Sequence, residues 1–225
     1  MATRLDPAQR REQILAATLR LVARDGFARV TLRDVAAEVG VVHGLIRHYF
    51  ATREQLVAAA FDAAVLGELR ADAEVEEGLE PVAALADWLS TTPRGHYLVW
   101  IDAWSEAPRN PELLAALTRH HRDSDRHLAG VIQRVVDAGH ATSADPAADA
   151  RMLTALVDGV AVQHHAIGLI DEAEADRIVF RAAEEHLKMQ PGALSRTRPT
   201  PTRGLWATPP AAAADAPVAA AEPGD

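Results

Sequence analysis

The stretch "VGVVHGLIRHYFATREQL", Val39 to Leu56, gathers two imidazoles, two guanidiniums and a phenol into eighteen residues of an acidic, alanine-rich chain. On a wheel of 3.6 residues per turn, Ile46 and Phe50 stack one turn apart on one side. Gly44 and His48 lie opposite, with His43/Arg47 and Leu45/Tyr49 on the flanks. Such a face is made for recognition rather than for making bonds. Gly44 lets a backbone come close. Arg47 can pair with phosphate, or bidentately with guanine. Tyr49 and Arg53 can hydrogen-bond phosphate, and Arg53 also stands at the start of the next helix, whose free N–H groups attract an anion. The chemistry this implies is contact with duplex DNA. An ordinary amphipathic helix with a solvated polar face is the alternative that periodicity alone leaves open.

The elements that must position this face read as helices. Asp6-Pro7 opens the first, with Asp6 as N-cap and Pro7 at the first helical position, and "RDGF" closes it with Gly26 as a left-handed residue. Thr31 caps the second helix, with Asp34 three residues on, and Leu32, Val35, Ala36 and Val39 form a buried stripe. Gly40 makes the turn into a third short helix over about 42–49, and Thr52 with Gln55 starts a fourth. Two short helices joined by a glycine turn are the helix-turn-helix pattern, whose second helix enters the major groove. Thr31 and Arg33 are then placed for the neighbouring DNA backbone.

Further helices are expected near 80–92, 95–106, 110–138, 146–169 and 172–188, punctuated by Pro81, Pro93, Pro108, Pro111 and Pro146, with Asp171 and Glu174 as another start signal. From residue 189 the composition turns to Pro, Ala, Thr and Gly, which reads as a disordered tail holding a lone Trp206. The expected architecture is all-α: a helix-turn-helix domain over 1–51, a helical effector-binding and dimerisation domain over 52–188, and the tail over 189–225.

The net charge of −9 hides an asymmetry. Residues 1–56 carry nine arginines against six carboxylates, a net of +3, and residues 57–225 carry fourteen Lys/Arg against twenty-six acids, a net of −12. A basic head on an acidic body suits a protein that meets phosphate at one end. With no cysteine, disulfides, thiolate zinc sites and cysteine nucleophiles are excluded. No apolar run is long enough for a membrane span, and "MATRLDPAQRREQIL" has no signal-peptide core, so a cytoplasmic location and no membrane partner are expected.

The segment "REQILAATLRLVARDGFARVTLRDVAAEVGVVHGLIRHYFATREQLVAAAF" closely resembles the DNA-binding domain of TetR-family transcriptional regulators. The match is the helix, "G-F", "T-x-x-x-I/V-A", "G-V-S-x-G-x-L/I-Y-x-H/Y-F" and "x-K/R-E/D-x-L" pattern over about fifty residues. The resemblance implies a homodimeric DNA-binding regulator, most often a repressor, released from a near-palindromic operator by a small-molecule effector. Mapped onto this chain, the DNA contacts are Thr31, Arg33, His43, Gly44, Leu45, Arg47, His48, Tyr49 and Arg53. Two departures stand out: Val42 replaces the family's small polar N-cap, and Arg47 replaces its usual tyrosine. "WIDAWSEAPRNPELLAAL" resembles the glycine-betaine-pathway repressor branch more loosely.

The resemblance also implies a four-helix bundle across a two-fold axis, built by the last two helices of the body. Leu153, Leu156, Val157, Val160, Ile178, Val179, Ala182, Ala183 and Leu187 are compatible with it, with Gly159 permitting a close crossing, although the same stripes could pack within one subunit. Candidate effector residues are Trp88, Tyr97, Trp100, Trp104, His120 and Gln163. With Asp102 and Glu106 beside the rings, a quaternary ammonium held by cation–π contacts is conceivable; plain core packing is the simpler reading. His120-His121, His127 and His164-His165 have poor spacing for a chelate, so no metal and no cofactor are expected. No nucleophile motif, phosphate loop or H-E-x-x-H is present, which disfavours an enzyme. A helical small-molecule binder with a degenerate head is the remaining alternative.

Overall fold

Ten α-helices follow one another in the computed structural model, which describes residues 6–76, 78–90 and 94–197, without the side chains at 68–76 and 94–96. They are α1 (Pro7–Asp25), α2 (Leu32–Val39), α3 (His43–Tyr49), α4 (Arg53–Glu76), α5 (Pro81–Leu89), α6 (Arg94–Glu106), α7 (Pro111–Asp137), α8 (Pro146–Ala161), α9 (Glu172–His186) and α10 (Ala193–Thr197). A 3-10 turn, Ala107–Arg109, joins α6 to α7, and a π turn, Val162–Ile167, extends α8. Every regular element among the described residues is helical, as expected. Trp206 and residues 198–225 of the expected tail lie outside the described residues, as does Pro93.

The helix starts follow local chemistry. Asp6 Oδ1 accepts from the Gln9 N–H at 2.8 Å while the Gln9 side chain accepts from the Asp6 N–H at 3.1 Å. Thr31 and Asp34 form the same reciprocal box, and Thr52 Oγ1 accepts from the Gln55 N–H at 3.2 Å. Each side chain satisfies a donor that the first helical turn leaves without a partner. Asp171 likewise caps α9 through the Glu174 N–H at 2.8 Å.

Three expectations need correction. Gly26 does have positive φ, but at φ 82° and ψ 160° it is not the left-handed helical residue; it turns the chain sharply towards α6. The helix expected to run to 169 leaves α geometry at Ala161 and ends in a π turn closed by left-handed Gly168. The tail does not start at 189. Met189 and Leu194 are buried, and Glu184 accepts from the N–H groups of Gly192 at 2.7 Å and Leu194 at 2.9 Å. One apolar side chain and two backbone hydrogen bonds to a buried carboxylate hold α10 in a segment whose composition suggested none.

The packing also does not divide at residue 51. One core joins α1–α4 to Val99 and Ala103 of α6 and to Leu113, Ala116 and Leu117 of α7. A second joins α5, α8, α9 and α10 to Leu128, Val131, Ile132 and Val135 of α7. Phe61, fully buried in α4, therefore belongs to the same core as Ile14 and Ile46 of the head. Helix α7 runs through both cores, and His120, His121 and Asp125 lie between its two apolar stretches.

Candidate nucleic-acid interface and the junction behind it

Helix α3 is oriented by its two inward residues. Ile46 is 0 % exposed and Phe50 is 5 % exposed, so the opposite side faces outward. Gly44, Arg47 and His48 are exposed, and His43, Leu45 and Tyr49 are half-buried. No atom within 4 Å would oppose a Cβ on Gly44, so nothing inside the subunit requires a glycine there. The Tyr49 ring packs on the first core and meets His48 edge-on at 5.4 Å. The α3 start lacks a side-chain cap, because Val42 offers no acceptor and stands 77 % exposed.

The head's arginines divide into two groups. Arg20 pairs with Glu38 at 3.0 Å, Arg24 pairs with Asp25 at 2.7 Å, and Arg11 lies over the Phe50 ring at 5.4 Å. Among the described residues Arg33 and Arg47 make no ion pair, and both are exposed. They sit near the N-terminus of α2 and on the outward side of α3, where the helix-turn-helix geometry would bring phosphates. Thr31 is occupied as a cap, its hydroxyl donating to Asp34 at 2.6 Å.

Arg53 behaves differently from the expectation. Its Nε donates to the Val30 carbonyl at 2.9 Å, its guanidinium also donates to the Phe27 carbonyl, and Nη1 meets Glu106 at 3.0 Å. Glu106 is 9 % exposed at its side chain. These contacts tie the guanidinium to the α1–α2 turn and to α6, with its side chain left 22 % exposed. Asp102, one turn earlier on α6, accepts from the Phe27 N–H. A Cβ on Gly26 would sit 3.1 Å from that carboxylate. Asp102 thus holds the α1–α2 turn directly, and Glu106 holds it through Arg53 of α4. The sequence pattern could not find these contacts, because they join residues 75 and 53 positions apart. Gly26 was the one local hint.

The six candidate effector residues do not form one cluster, although Trp100, Trp104 and His120 are brought together through Phe61 and His121. Trp100 and Trp104 pack on the first core, and Trp88 and Tyr97 on the second. Gln163 is exposed on the π turn. What forms instead is a chain of rings from the head inward. Phe27 meets Phe61 edge-on at 6.1 Å, Phe61 meets Trp100 at 5.0 Å, and Trp100 lies 5.1 Å from His121. His120, 3 % exposed, meets Phe61 at 5.8 Å and bonds Asp62 through Nε2 at 2.6 Å; its Nδ1 is buried without a partner. His121 Nε2 accepts from the Trp104 indole N–H at 3.0 Å, and burial pushes its imidazole below the ordinary range. Tyr97 stacks on His165 at 5.0 Å in the second core. Since Asp102 and Glu106 bind the head, the carboxylates expected beside the rings for a cation are engaged elsewhere.

Comparison with known proteins agrees with the all-α architecture and its N-terminal helix-turn-helix. Residues 14–60 match the family described as bacterial regulatory proteins, tetR family, and residues 82–188 match the BetI-type transcriptional repressor C-terminal family. The transcriptional regulator BetI of Agrobacterium fabrum is 26 % identical over 163 residues, covering 69 % of this chain and 76 % of the relative. BetI of Pseudomonas fluorescens is 28 % identical over 202 residues, covering 80 % and 92 %. A transcriptional regulator from Saccharomonospora viridis, solved in complex with choline, superposes with a TM-score of 0.70 at 22 % identity, covering 80 % of this chain and 97 % of that one. One from Streptomyces coelicolor superposes with a TM-score of 0.63 at 27 % identity, covering 80 % and 99 %.

Proposed function

Because the chain belongs to the TetR family of DNA-binding transcriptional regulators, we propose that it is a homodimeric repressor released from a near-palindromic operator by a small-molecule effector. The observation that carries this reading is the outward face of α3. It is polar and cationic, and its Arg47 has no protein partner among the described residues, whereas Arg20, Arg24 and Arg53 are ion-paired within the protein. A guanidinium left free on a rigid helix is available for phosphate or guanine.

The dimer rests on the residues that packing leaves outside. Leu153, Val157, Val160, Val179, Ala183 and Leu187 are buried within the subunit. Met152, Ala155 and Gly159 of α8 and Ile178 of α9 are exposed, Leu156 and Ala182 are half-exposed, and a Cβ on Gly159 would meet open space. Small and apolar residues at helical spacing on adjoining helices suit a self-complementary face. The effector's lever is α6. It carries Trp100 and Trp104 among the buried rings and Asp102 and Glu106 on the head. A ligand that favours a shifted α6 would therefore favour a shifted α3 and disfavour the operator. Quaternary ammonium compounds are the first effectors to try, given the choline bound by the S. viridis protein.

Selection of bound sequences from random duplex DNA tests the reading. The control is an Arg47→Ala, Tyr49→Phe variant, which keeps the ring that packs on the core. An enriched near-palindrome that the variant fails to recover is the expected result. No enrichment at low salt by a folded dimer would overturn it.

A further inference from the structure

We propose that His121 makes operator binding sensitive to protons: protonation turns the acceptor of the Trp104 indole N–H into a donor, breaks this tie between α6 and α7, and loosens the hold of α6 on the DNA-binding head. The proposal rests on the operator-binding reading above, and its test separates the two.

The indole N–H can only donate, so the 3.0 Å bond fixes a lone pair on His121 Nε2. The imidazole is therefore neutral, with its proton on Nδ1. Adding a second proton places one N–H against another, and the contact has to open. Trp104 lies on α6 between Asp102, which accepts from the α1–α2 turn, and Glu106, which holds Arg53 against that turn. His121 lies on α7 between the helix's two apolar stretches. The bond that protonation breaks thus joins the helix that holds the head to the helix that runs through both cores.

Among the described residues, these groups surround the ring. From α6 the uncharged rings of Trp100 and Trp104 face it, at 5.1 and 5.8 Å. Asp102 and Glu106 of α6 are turned to the head. Asp62 of α4 is bonded to His120 and Arg119. On α7 itself Asp125 favours the charged imidazole and His120 opposes it, and Asp125 accepts in turn from Thr154 of α8 at 3.0 Å. Burial is the largest influence, and it favours the neutral ring over the ordinary value of 6.5. The sign follows. A closed junction binds a proton less readily than an opened one, so closure is complete above 6.5 and is lost as pH falls below it.

The test compares variants rather than raw pH profiles. Affinity for the selected duplex is measured by fluorescence anisotropy at pH 7.5 and 5.5, at one ionic strength, for the unmodified full chain, His121→Gln and Trp104→Phe. Glutamine supplies an acceptor that does not titrate. Tryptophan emission is titrated in parallel without DNA. The expected result is that the unmodified protein loses at least about fivefold in affinity relative to His121→Gln over that range. Its emission should show a step below pH 6.5 that His121→Gln lacks. Equal pH dependence of affinity in the unmodified protein and His121→Gln would overturn the coupling to the operator. Absence of the emission step would overturn the switch itself, even if no protein bound DNA at all. Should His121→Gln fail to fold, Trp104→Phe supplies the same comparison, since it removes the donor.

Discussion

The outward face of α3 and the junction between α6 and the α1–α2 turn are built from the same kinds of side chain and use them in opposite ways. Arg47 and Arg53 are six residues apart in sequence. The first is exposed, with no ion-pair partner among the described residues; the second is held by two carbonyls and a carboxylate. The difference teaches that charge on a basic head is divided between reading a ligand and fixing the reader. A guanidinium that neutralises a buried carboxylate and two carbonyls has fewer donors left to offer a phosphate.

The strongest way to break this comparison is Arg53→Met. It leaves Glu106 without its cation and leaves two carbonyls, of Phe27 and Val30, without their donor. Removing one partner of a buried pair is costly, and because Arg53 keeps 22 % side-chain exposure the loss should be near the low end, about 3 kcal/mol. Urea unfolding measures it. Arg53→Met combined with Glu106→Leu should recover a large part, because no carboxylate is then left bare. If Arg53→Met unfolds at the same urea concentration as the unmodified chain, the inward role assigned to Arg53 is wrong.

Gly26→Ala probes the same junction from the other side and should cost about 2 kcal/mol. The added Cβ meets a φ of +82° and a carboxylate oxygen 3.1 Å away. Thermal unfolding reads the loss, and the same change made in an Asp102→Ala background, which removes the crowding atoms, tells backbone strain from crowding. If Gly26→Ala were neutral, the turn would have more freedom than the Asp102 contact allows.

The division between the two regions is also the division in what the sequence made legible. The helix-turn-helix was readable because its signals are local. Asp6/Gln9, Thr31/Asp34 and Gly40 act within four residues, and Ile46 with Phe50 fixes which side of α3 faces out. The junction was not readable, because Asp102 and Glu106 find their partners across the fold. The same carboxylates had looked like company for a cation. The dimer face was half legible. Periodicity identified α8 and α9 as carrying apolar stripes, yet it could not say that Leu153 and Val157 face inward while Met152 and Ala155 stay outside. Composition misplaced the tail, since Leu194 and the carboxylate of Glu184 hold residues that a Pro/Ala-rich segment gave no reason to order.

The smallest expected effect on stability sharpens the comparison from the α3 side. Arg33→Ala and Arg47→Ala remove exposed guanidiniums that hold nothing inside the protein, so each should leave unfolding within about 0.5 kcal/mol of the unmodified chain. Their effect belongs to the complex. A guanidinium that neutralises a phosphate releases a condensed counterion on binding. Its loss should therefore weaken binding and lower the slope of log affinity against log salt by about 1 per contact. Arg47 can also reach a guanine edge, which would add a loss confined to the selected sequence, whereas a pure phosphate contact weakens all sequences alike. Titrations of the selected duplex and a scrambled one at several salt concentrations separate these cases. A stability loss in Arg47→Ala comparable to that of Arg53→Met would erase the distinction between the two arginines. An unchanged salt slope in both Arg33→Ala and Arg47→Ala would mean that DNA meets some other face of the head.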